Sequence, residues 1–430
     1  MDELDRRVFR LAVPAFGTLA AEPLYRLVDT AVVGRLGTDQ LGGLAIAVSV
    51  LSLVVASSNF ITYGTTERVA RRLGAGRTTE AANVGMQSLW LAGFVGVVAV
   101  PLLVVGARPV SSALGARDEV LDFAVTYLQI SALSVPFVVL SLAAQGVQRG
   151  ASDYRTPFLI LLCSNIVNVV VELVLVFGFD LGIAGAAWST VVAQTGAGLA
   201  FLVVVRRQVA PATMRRPNWV EMAPLLSAGR HLLLRVGSML AVFTGATALA
   251  ARVDDATLGA HQIAVTMFLF LALTLDALAV PAQTLVAEEL GRDAATNEAL
   301  ALARRVVRLS VLVAAGLALV LAATAPLLAR VFTTDDAVIS RTVPALLFLA
   351  AVMLPGAVAF AYDGILIGCG DYRFIGLAAF GYLVAVVPIA VAVVAVPSLG
   401  IAGIWIGLTL WMVLRAVVNH LRTAAVLTAP

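Results

Sequence analysis

The chain has 430 residues, of which 60% are hydrophobic and only 13% charged, and its mean hydropathy is +0.97. Soluble proteins carry about twice that charged fraction, so this composition excludes a soluble globular protein and indicates an integral membrane protein. The net charge of +3 is explained by arginines at a membrane surface, and we expect no nucleic-acid partner. Cys163 and Cys369 lie in apolar segments, so no disulfide framework is predicted.

Apolar segments long enough to cross a bilayer recur along the chain, separated by charged or Gly- and Pro-containing breaks. They predict an all-α polytopic membrane protein with twelve transmembrane helices. The predicted spans are 10–34, 41–65, 81–106, 120–148, 156–178, 181–205, 227–251, 258–287, 299–325, 340–367, 373–396 and 399–424.

Arginines are distributed unequally between the two sets of connecting segments. One set carries 21 arginines and the other 6, while Arg26 and Arg235 lie inside spans. Because cytoplasmic segments are enriched in basic residues, both termini are predicted to be cytoplasmic, in the inner (plasma) membrane of a cell. The longest connection on the arginine-rich side, from Arg206 to about Pro224, is interpreted as a linker between helices six and seven.

The second half of the sequence repeats motifs of the first. Leu41-Gly42 recurs as Leu258-Gly259, 217 residues later. Gly150-Ala-Ser-Asp-Tyr-Arg155 recurs as Gly368-Cys-Gly-Asp-Tyr-Arg373, 218 residues later. An even number of helices per repeat gives both halves the same orientation in the membrane. The sequence therefore predicts two pseudo-symmetric six-helix bundles, an N-lobe (1–214) and a C-lobe (215–430), with a cavity between them.

The first span contains three ionisable residues, which are costly at membrane depth. Glu22, Arg26 and Asp29 are spaced i, i+4, i+7, which places them on one helical face, and Pro23 predicts a bend. One interpretation is an Arg26–carboxylate brace that locks the helix into its bundle. The other is a functional site, in which the acid that Arg26 does not neutralise is available for an ion, a proton or a cationic ligand.

A second polar cluster is predicted in helix five, where Asn165, Asn168 and Glu172 share one face. Amide oxygens beside a carboxylate suit a hard cation such as sodium, or an exchangeable proton. Thr190 of helix six could add a hydroxyl oxygen. The alternative is that these polar side chains only form hydrogen bonds to a neighbouring helix.

The C-lobe contributes Arg235, Asp276 and Asp363 as candidates for its cavity. The alternative is an Arg–Asp ion pair that only holds the helices of the lobe together. Since one arginine cannot neutralise two aspartates, one acid would face the cavity or titrate.

The repeat also shows where the two lobes differ. Asp29 corresponds to Ala246, Glu172 to Ala390 and Thr190 to Leu408. The acids of the N-lobe therefore have no acidic counterparts, which suggests separate chemical duties for the two lobes.

The motifs resemble the multidrug and toxic compound extrusion (MATE) family, in its DinF-like branch. The resemblance is carried by Pro23-Leu-Tyr-Arg-Leu-Val-Asp29, by Asn168 and Glu172, and by Asp363-Gly-Ile-Leu-Ile-Gly368. It implies a secondary antiporter that exports small cationic or amphipathic organic compounds in exchange for H+ or Na+. In that family, positions matching Asp29, Asn168, Glu172 and Thr190 form the N-lobe cation site, although the helix-five acid is commonly aspartate.

Other classes of membrane protein fit the sequence less well. A lipid or lipid-linked precursor flippase would need a strongly cationic cavity, whereas five acids face two arginines inside the predicted spans. The acids are Glu22, Asp29, Glu172, Asp276 and Asp363. An enzyme would need a nucleophile, a phosphate loop or a metal set, and no such motif is evident. We therefore expect a non-enzymatic, monomeric transporter in the lipid bilayer, without a cofactor beyond its coupling ion.

Overall fold

The computed structural model of the protein describes residues 3–292 and 296–428, and all regular elements in those ranges are helices. Their bounds are α1 (Glu3–Val33), α2 (Thr38–Gly74), α3 (Thr78–Ala113), α4 (Asp118–Ala132), α5 (Val135–Gly150), α6 (Arg155–Leu173), α7 (Gly182–Val209), α8 (Trp219–Val253), α9 (Asp255–Gly291), α10 (Thr296–Phe332), α11 (Asp336–Gly368), α12 (Tyr372–Ala395) and α13 (Gly400–Thr428). A π-helical turn, Val174–Gly178, continues α6, and a 3₁₀ turn, Pro397–Leu399, precedes α13. The predicted all-helical class is confirmed.

Ten of the described helices are long and apolar enough to cross a membrane. The predicted single helix over 120–148 is wrong, because α4 and α5 are separate helices that bend by 52° and together form an eleventh candidate span. Pro136 lies in the first turn of α5, where its missing N–H costs little and its fixed φ favours a new helix start. The remaining predicted span is α1, the charged helix, which runs without a break through Pro14 and Pro23.

The chain divides into two compact units. One comprises Val13–Gly229, and the other comprises Met1–Ala12 with Arg230–Pro430. We call them the N-unit and the C-unit. The start of α1 therefore belongs to the C-unit, where Asp5 accepts two hydrogen bonds from Arg305 at 2.6 and 3.0 Å. The predicted division of the chain into an N-lobe (1–214) and a C-lobe (215–430) stays a prediction.

The internal repeat recurs as helix packing within each unit. In the N-unit, a Cβ placed on Gly150 of α5 would lie 3.0 Å from the backbone oxygen of Thr66 in α2. In the C-unit, a Cβ on Gly368 of α11 would lie 2.5 Å from the backbone oxygen of Gln283 in α9. In the repeat, Gly150 corresponds to Gly368, and Thr66 corresponds to Gln283. The two bundles therefore share the same close helix crossing, which only a residue without a side chain permits.

The connection between α7 and α8 is held against α3. Asn83 accepts two backbone N–H groups of residues 213–216 at 2.9 and 3.0 Å, and Gln87 donates to two carbonyls of the same segment at 3.0 and 2.9 Å. Trp90 donates to a further carbonyl there at 3.0 Å. These three side chains are spaced i, i+4, i+7 on α3, so one helix face fixes the segment that was interpreted as a linker.

We expect Gly368→Ala to destabilise the C-unit, because the new methyl group would collide with a backbone oxygen that cannot rotate away. Overpacking of this kind costs about 1–3 kcal/mol. The measurement is the melting temperature of the purified protein in one detergent. Gly316→Ala is the matched control, since a Cβ there meets no atom within 4 Å and alanine improves helix propensity. Equal melting temperatures for the two variants would contradict the packing argument.

Candidate functional site

Four predicted polar residues of the N-unit lie buried in its membrane-spanning helices. Asp29 of α1 is 2% exposed, Asn168 and Glu172 of α6 are 2% and 0% exposed, and Thr190 of α7 is 8% exposed. Helical spacing explains their convergence, because Asn168 and Glu172 are one turn apart on the face that α6 turns inward. The carboxyl group of Glu172 is close enough to that of Asp29 for direct electrostatic interaction.

Two tyrosines complete this cluster, and the sequence reasoning missed both. The hydroxyl of Tyr25 lies 2.9 Å from Oγ1 of Thr190. The hydroxyl of Tyr127 lies 3.3 Å from the same oxygen and donates to Oδ2 of Asp29 at 3.5 Å. Tyr25 could have been found, since it precedes Asp29 by one helical turn. Tyr127 is on α4, and no local pattern links it to the other residues.

Several oxygens in this cluster are buried without a hydrogen bond from the described part of the chain. They are Oδ1 of Asp29, Oδ1 of Asn168 and both carboxylate oxygens of Glu172. Asn168 uses its amide nitrogen to donate to Oγ of Ser189 at 3.4 Å, so its oxygen remains available. Buried polar atoms are normally satisfied, and groups that are not require an explanation.

The donor set of this cluster is purely oxygen. Among the described residues, no group of three or more His, Cys, Asp or Glu side chains could hold a metal ion. Two carboxylates, an amide oxygen and a hydroxyl are hard ligands, which suit Na+ or a shared proton and not a soft transition metal. The arrangement can therefore hold one small positive charge in a poorly solvated place.

The other three predicted N-lobe residues do not contact this cluster in the described structure. Arg26 forms an ion pair with Glu22, and both side chains are substantially exposed, at 40% and 56%. Glu22, Arg26 and Asp29 therefore do not form one charge cluster, because only Asp29 is buried in the bundle. Asn165 donates to the backbone oxygen of Ala21 at 2.9 Å. That bond attaches α6 to α1 just before Pro23.

A second buried polar network surrounds Asp363 of α11 in the C-unit. Arg235 of α8 and Arg415 of α13 donate to Oδ2 of Asp363 at 2.6 and 2.7 Å. Asn419 donates to Oδ1 at 2.6 Å and itself accepts from the hydroxyl of Tyr382 at 2.9 Å. The predicted Arg235–Asp363 pair is confirmed as a contact, and it belongs to a network that joins four helices.

Arg415, one of the 21 arginines in the arginine-rich set, does not lie in a connecting segment but within α13. Its side chain is only 3% exposed and lies over the ring of Trp411, with 4.7 Å from the guanidinium carbon to the ring centroid. Asp276 of α9 is half-buried, and Arg235, Arg415 and Asp363 are its charged neighbours. The C-unit therefore supplies two arginines, not one, for its two aspartates.

The family model called MatE matches residues 14–174 and 236–393, once in each repeat. The chain belongs to the MATE family. It is a multi-pass membrane transporter of the multidrug and toxic compound extrusion class, as its motifs suggested.

Full-length relatives agree with this assignment. Protein DETOXIFICATION 44, chloroplastic, of Arabidopsis thaliana is 31% identical over 448 residues, which cover 98% of this chain and 82% of that protein. DNA damage-inducible protein F of Escherichia coli (strain K12) is 26% identical over 426 residues, covering 96% and 90%. A crystal structure of MATE in the bent conformation has the same fold, with a TM-score of 0.92 at 20% identity over 99% of this chain and 96% of that one.

We expect Asp363→Asn to lower the stability of the MATE chain strongly, because Arg235 and Arg415 would then lose the carboxylate to which both donate. Removing one partner of a buried ion pair costs about 3–5 kcal/mol. Asp122→Asn is the matched control, since the Arg108–Asp122 pair is exposed and such pairs contribute about 0–1 kcal/mol. Melting temperatures in one detergent compare the two. A smaller loss for Asp363→Asn than for Asp122→Asn would show that the network is not structural.

Proposed function

We propose that this MATE protein is a secondary antiporter, in which the cluster of Asp29, Asn168, Glu172 and Thr190 exchanges a coupling ion. The observation that supports this most is the buried pair of acids, because three of their four carboxylate oxygens accept no hydrogen bond within the described chain. Two carboxylates in a poorly solvated place cannot both be ionised at low cost. A bound Na+ or a proton removes that cost, so occupancy of the cluster and the conformation of the surrounding helices become linked.

The chain's own residues have distinct parts in the proposed exchange. Asp29 and Glu172 hold the proton or share the sodium ion, while Asn168 and Thr190 supply neutral oxygens. Tyr25 and Tyr127 orient Thr190 and Asp29 through their hydroxyl groups. Because Asp29 is on α1, neutralising it changes the packing preference of a helix whose ends belong to different units.

The proposed substrates are small cationic or amphipathic organic compounds. Ionised acids in the N-unit attract a cation, and a bound proton or sodium ion removes that attraction. Substrate and coupling ion therefore compete, which is what exchange requires. Alternating access follows by rocking of residues 1–214 against 215–430.

A flippase for lipid-linked precursors is the less favoured alternative. It would need free cationic side chains to hold a pyrophosphate, and both buried arginines of the C-unit donate to Asp363. We further propose a monomer in the plasma membrane, with both termini cytoplasmic and no nucleic-acid partner.

The decisive experiment measures efflux of a fluorescent organic cation from proteoliposomes. It is run under an imposed pH gradient and repeated under a sodium gradient, which identifies the coupling ion. Asp29→Asn keeps the shape of the side chain but cannot cycle charge, so we expect efflux at the rate seen without a gradient. Asp39→Asn, on the exposed first turn of α2, is the control and should transport normally. Near-normal efflux in Asp29→Asn at equal expression would refute the proposal.

Glu172→Gln distinguishes the two coupling ions. With proton coupling, we expect it to abolish gradient-driven efflux, because the amide cannot accept and release a proton in the working range. With sodium coupling, the amide oxygen remains a ligand, so the variant should still transport but need a higher sodium concentration. Initial efflux rates over a sodium titration separate these outcomes. An unchanged sodium requirement together with unchanged proton-driven efflux would remove Glu172 from the site.

A further inference from the structure

One side of α3 is polar near the start of the helix and apolar further along. Asn83, Gln87 and Trp90 hold the connection between α7 and α8, residues 210–218, by hydrogen bonds. Phe94 and Val97 continue the same side of the helix and are 65% and 63% exposed. Exposed apolar side chains on a membrane-spanning helix face acyl chains, because water excludes them. The connection therefore lies at the end of a lipid-facing surface, which we call the α3 stripe (Trp90, Phe94 and Val97).

The connection is held by its backbone and not by its side chains. From Met214 onward, α3 bonds only to backbone atoms of this segment, including the N–H of Asn218, which donates to Gln87 at 2.7 Å. The side chains of Arg215 and Arg216 take no part in these bonds and are exposed. A segment whose backbone is already ordered loses less entropy when its side chains bind a ligand.

Four exposed arginines, which we call the arginine cluster, lie at this end of the N-unit. They are Arg206, Arg207, Arg215 and Arg216. The end of α7, which carries the first two, packs against the same part of α3, because a Cβ placed on Gly85 would lie 3.0 Å from Cγ1 of Val209. Residues 181–220 contain no Asp or Glu, and the ion pairs among the described residues of the N-unit involve other arginines. The cluster is therefore a local excess of positive charge.

The second repeat has no such excess at the equivalent place. The offset of 218 residues pairs Arg206 with Ala424 and Arg207 with Ala425. The shared helical framework therefore does not require basic residues at the end of this helix. Their presence in the N-unit requires another explanation.

The chemistry of the cluster and its surroundings matches a phospholipid. Guanidinium groups bind phosphate oxygens with two parallel hydrogen bonds. Trp90 and Trp219 are 46% and 62% exposed beside the connection, and tryptophan is enriched at the level of lipid headgroups. An acidic soluble protein would match the arginines but would leave the α3 stripe uncovered. A phospholipid presents a phosphate and acyl chains in the order in which the arginines and the stripe follow each other.

We propose that the arginine cluster and the α3 stripe form a binding site for one anionic phospholipid. Its phosphate contacts the guanidinium groups, and its acyl chains lie along the stripe. Because α3 fixes the backbone of the connection, the arginines are already in place when the lipid arrives. The site is separate from the ion cluster of Asp29 and Glu172 and does not depend on the proposed antiport.

The test measures equilibrium binding of radiolabelled phosphatidylglycerol to the purified full chain, in detergent that contains an excess of phosphatidylcholine. We expect saturable binding in the wild type. The double variant Arg215→Gln, Arg216→Gln should bind roughly tenfold more weakly, because each arginine adds to the attraction of an anionic lipid. The matched control is Arg6→Gln with Arg10→Gln, which removes two exposed arginines of the same predicted membrane side and leaves the α3 stripe unchanged. It should bind the lipid as the wild type does.

Gln87→Leu is a second site variant that removes no charge. It deletes the hydrogen bonds to the carbonyls of Met214 and Arg216 and from the N–H of Asn218. We therefore expect weaker binding of phosphatidylglycerol although all four arginines are present. If its melting temperature shows that this variant does not fold, the arginine double variant decides alone.

Four results would overturn the proposal. They are absence of saturable binding in the wild type, wild-type affinity in a folded site variant, an equal loss of affinity in the Arg6, Arg10 control, and displacement of the lipid by inorganic phosphate. The third would show that any surface arginine attracts the lipid equally. The fourth would show that the cluster recognises a free anion and not a phospholipid.

Discussion

The cost of a carboxylate in the hydrocarbon core of a membrane is the constraint on which this structure depends. A charged side chain there must be paired, neutralised or removed from the lipid. The protein applies different solutions in its two units. Asp363 is held by two guanidinium groups and one amide. In the pair of Asp29 and Glu172, by contrast, three of the four carboxylate oxygens accept no hydrogen bond from a described residue.

That difference separates a carboxylate that stabilises a fold from one that can change its charge state. Neutralising Asp363 would break its ion pairs with Arg235 and Arg415 inside the bundle, so the network resists a change of charge. Neutralising Asp29 or Glu172 strands no cation, because Arg26 is already paired with Glu22 at the surface. In the N-unit cluster a change of charge therefore breaks no ion pair with Arg26, which is what the proposed exchange of an ion requires.

Local periodicity was sufficient to predict some features of single helices, although not the burial of Asp29 apart from exposed Glu22 and Arg26. The i, i+4 spacing of Asn168 and Glu172 was visible in the sequence, and both side chains are buried. The repeated glycines of α5 and α11 were also visible, and both lie where two helices approach closely. Contacts between helices could not be predicted in this way. Tyr127 and Arg415 each reach their partners from helices distant in sequence. The bend between α4 and α5 lies beside Pro136, a local signal that the apolar pattern alone does not include.

The repeat explains how one chain can carry such different interiors. Backbone-to-backbone crossings at Gly150 and Gly368 fix the same bundle geometry twice, and they involve no side chain that chemistry would need. The positions around those crossings are consequently free to diverge. Replacing Asp29 and Glu172 by alanines at the equivalent positions removes the desolvation penalty and leaves small aliphatic side chains in their place. A cluster of acids and a set of small aliphatic side chains are therefore alternative contents of one helical framework.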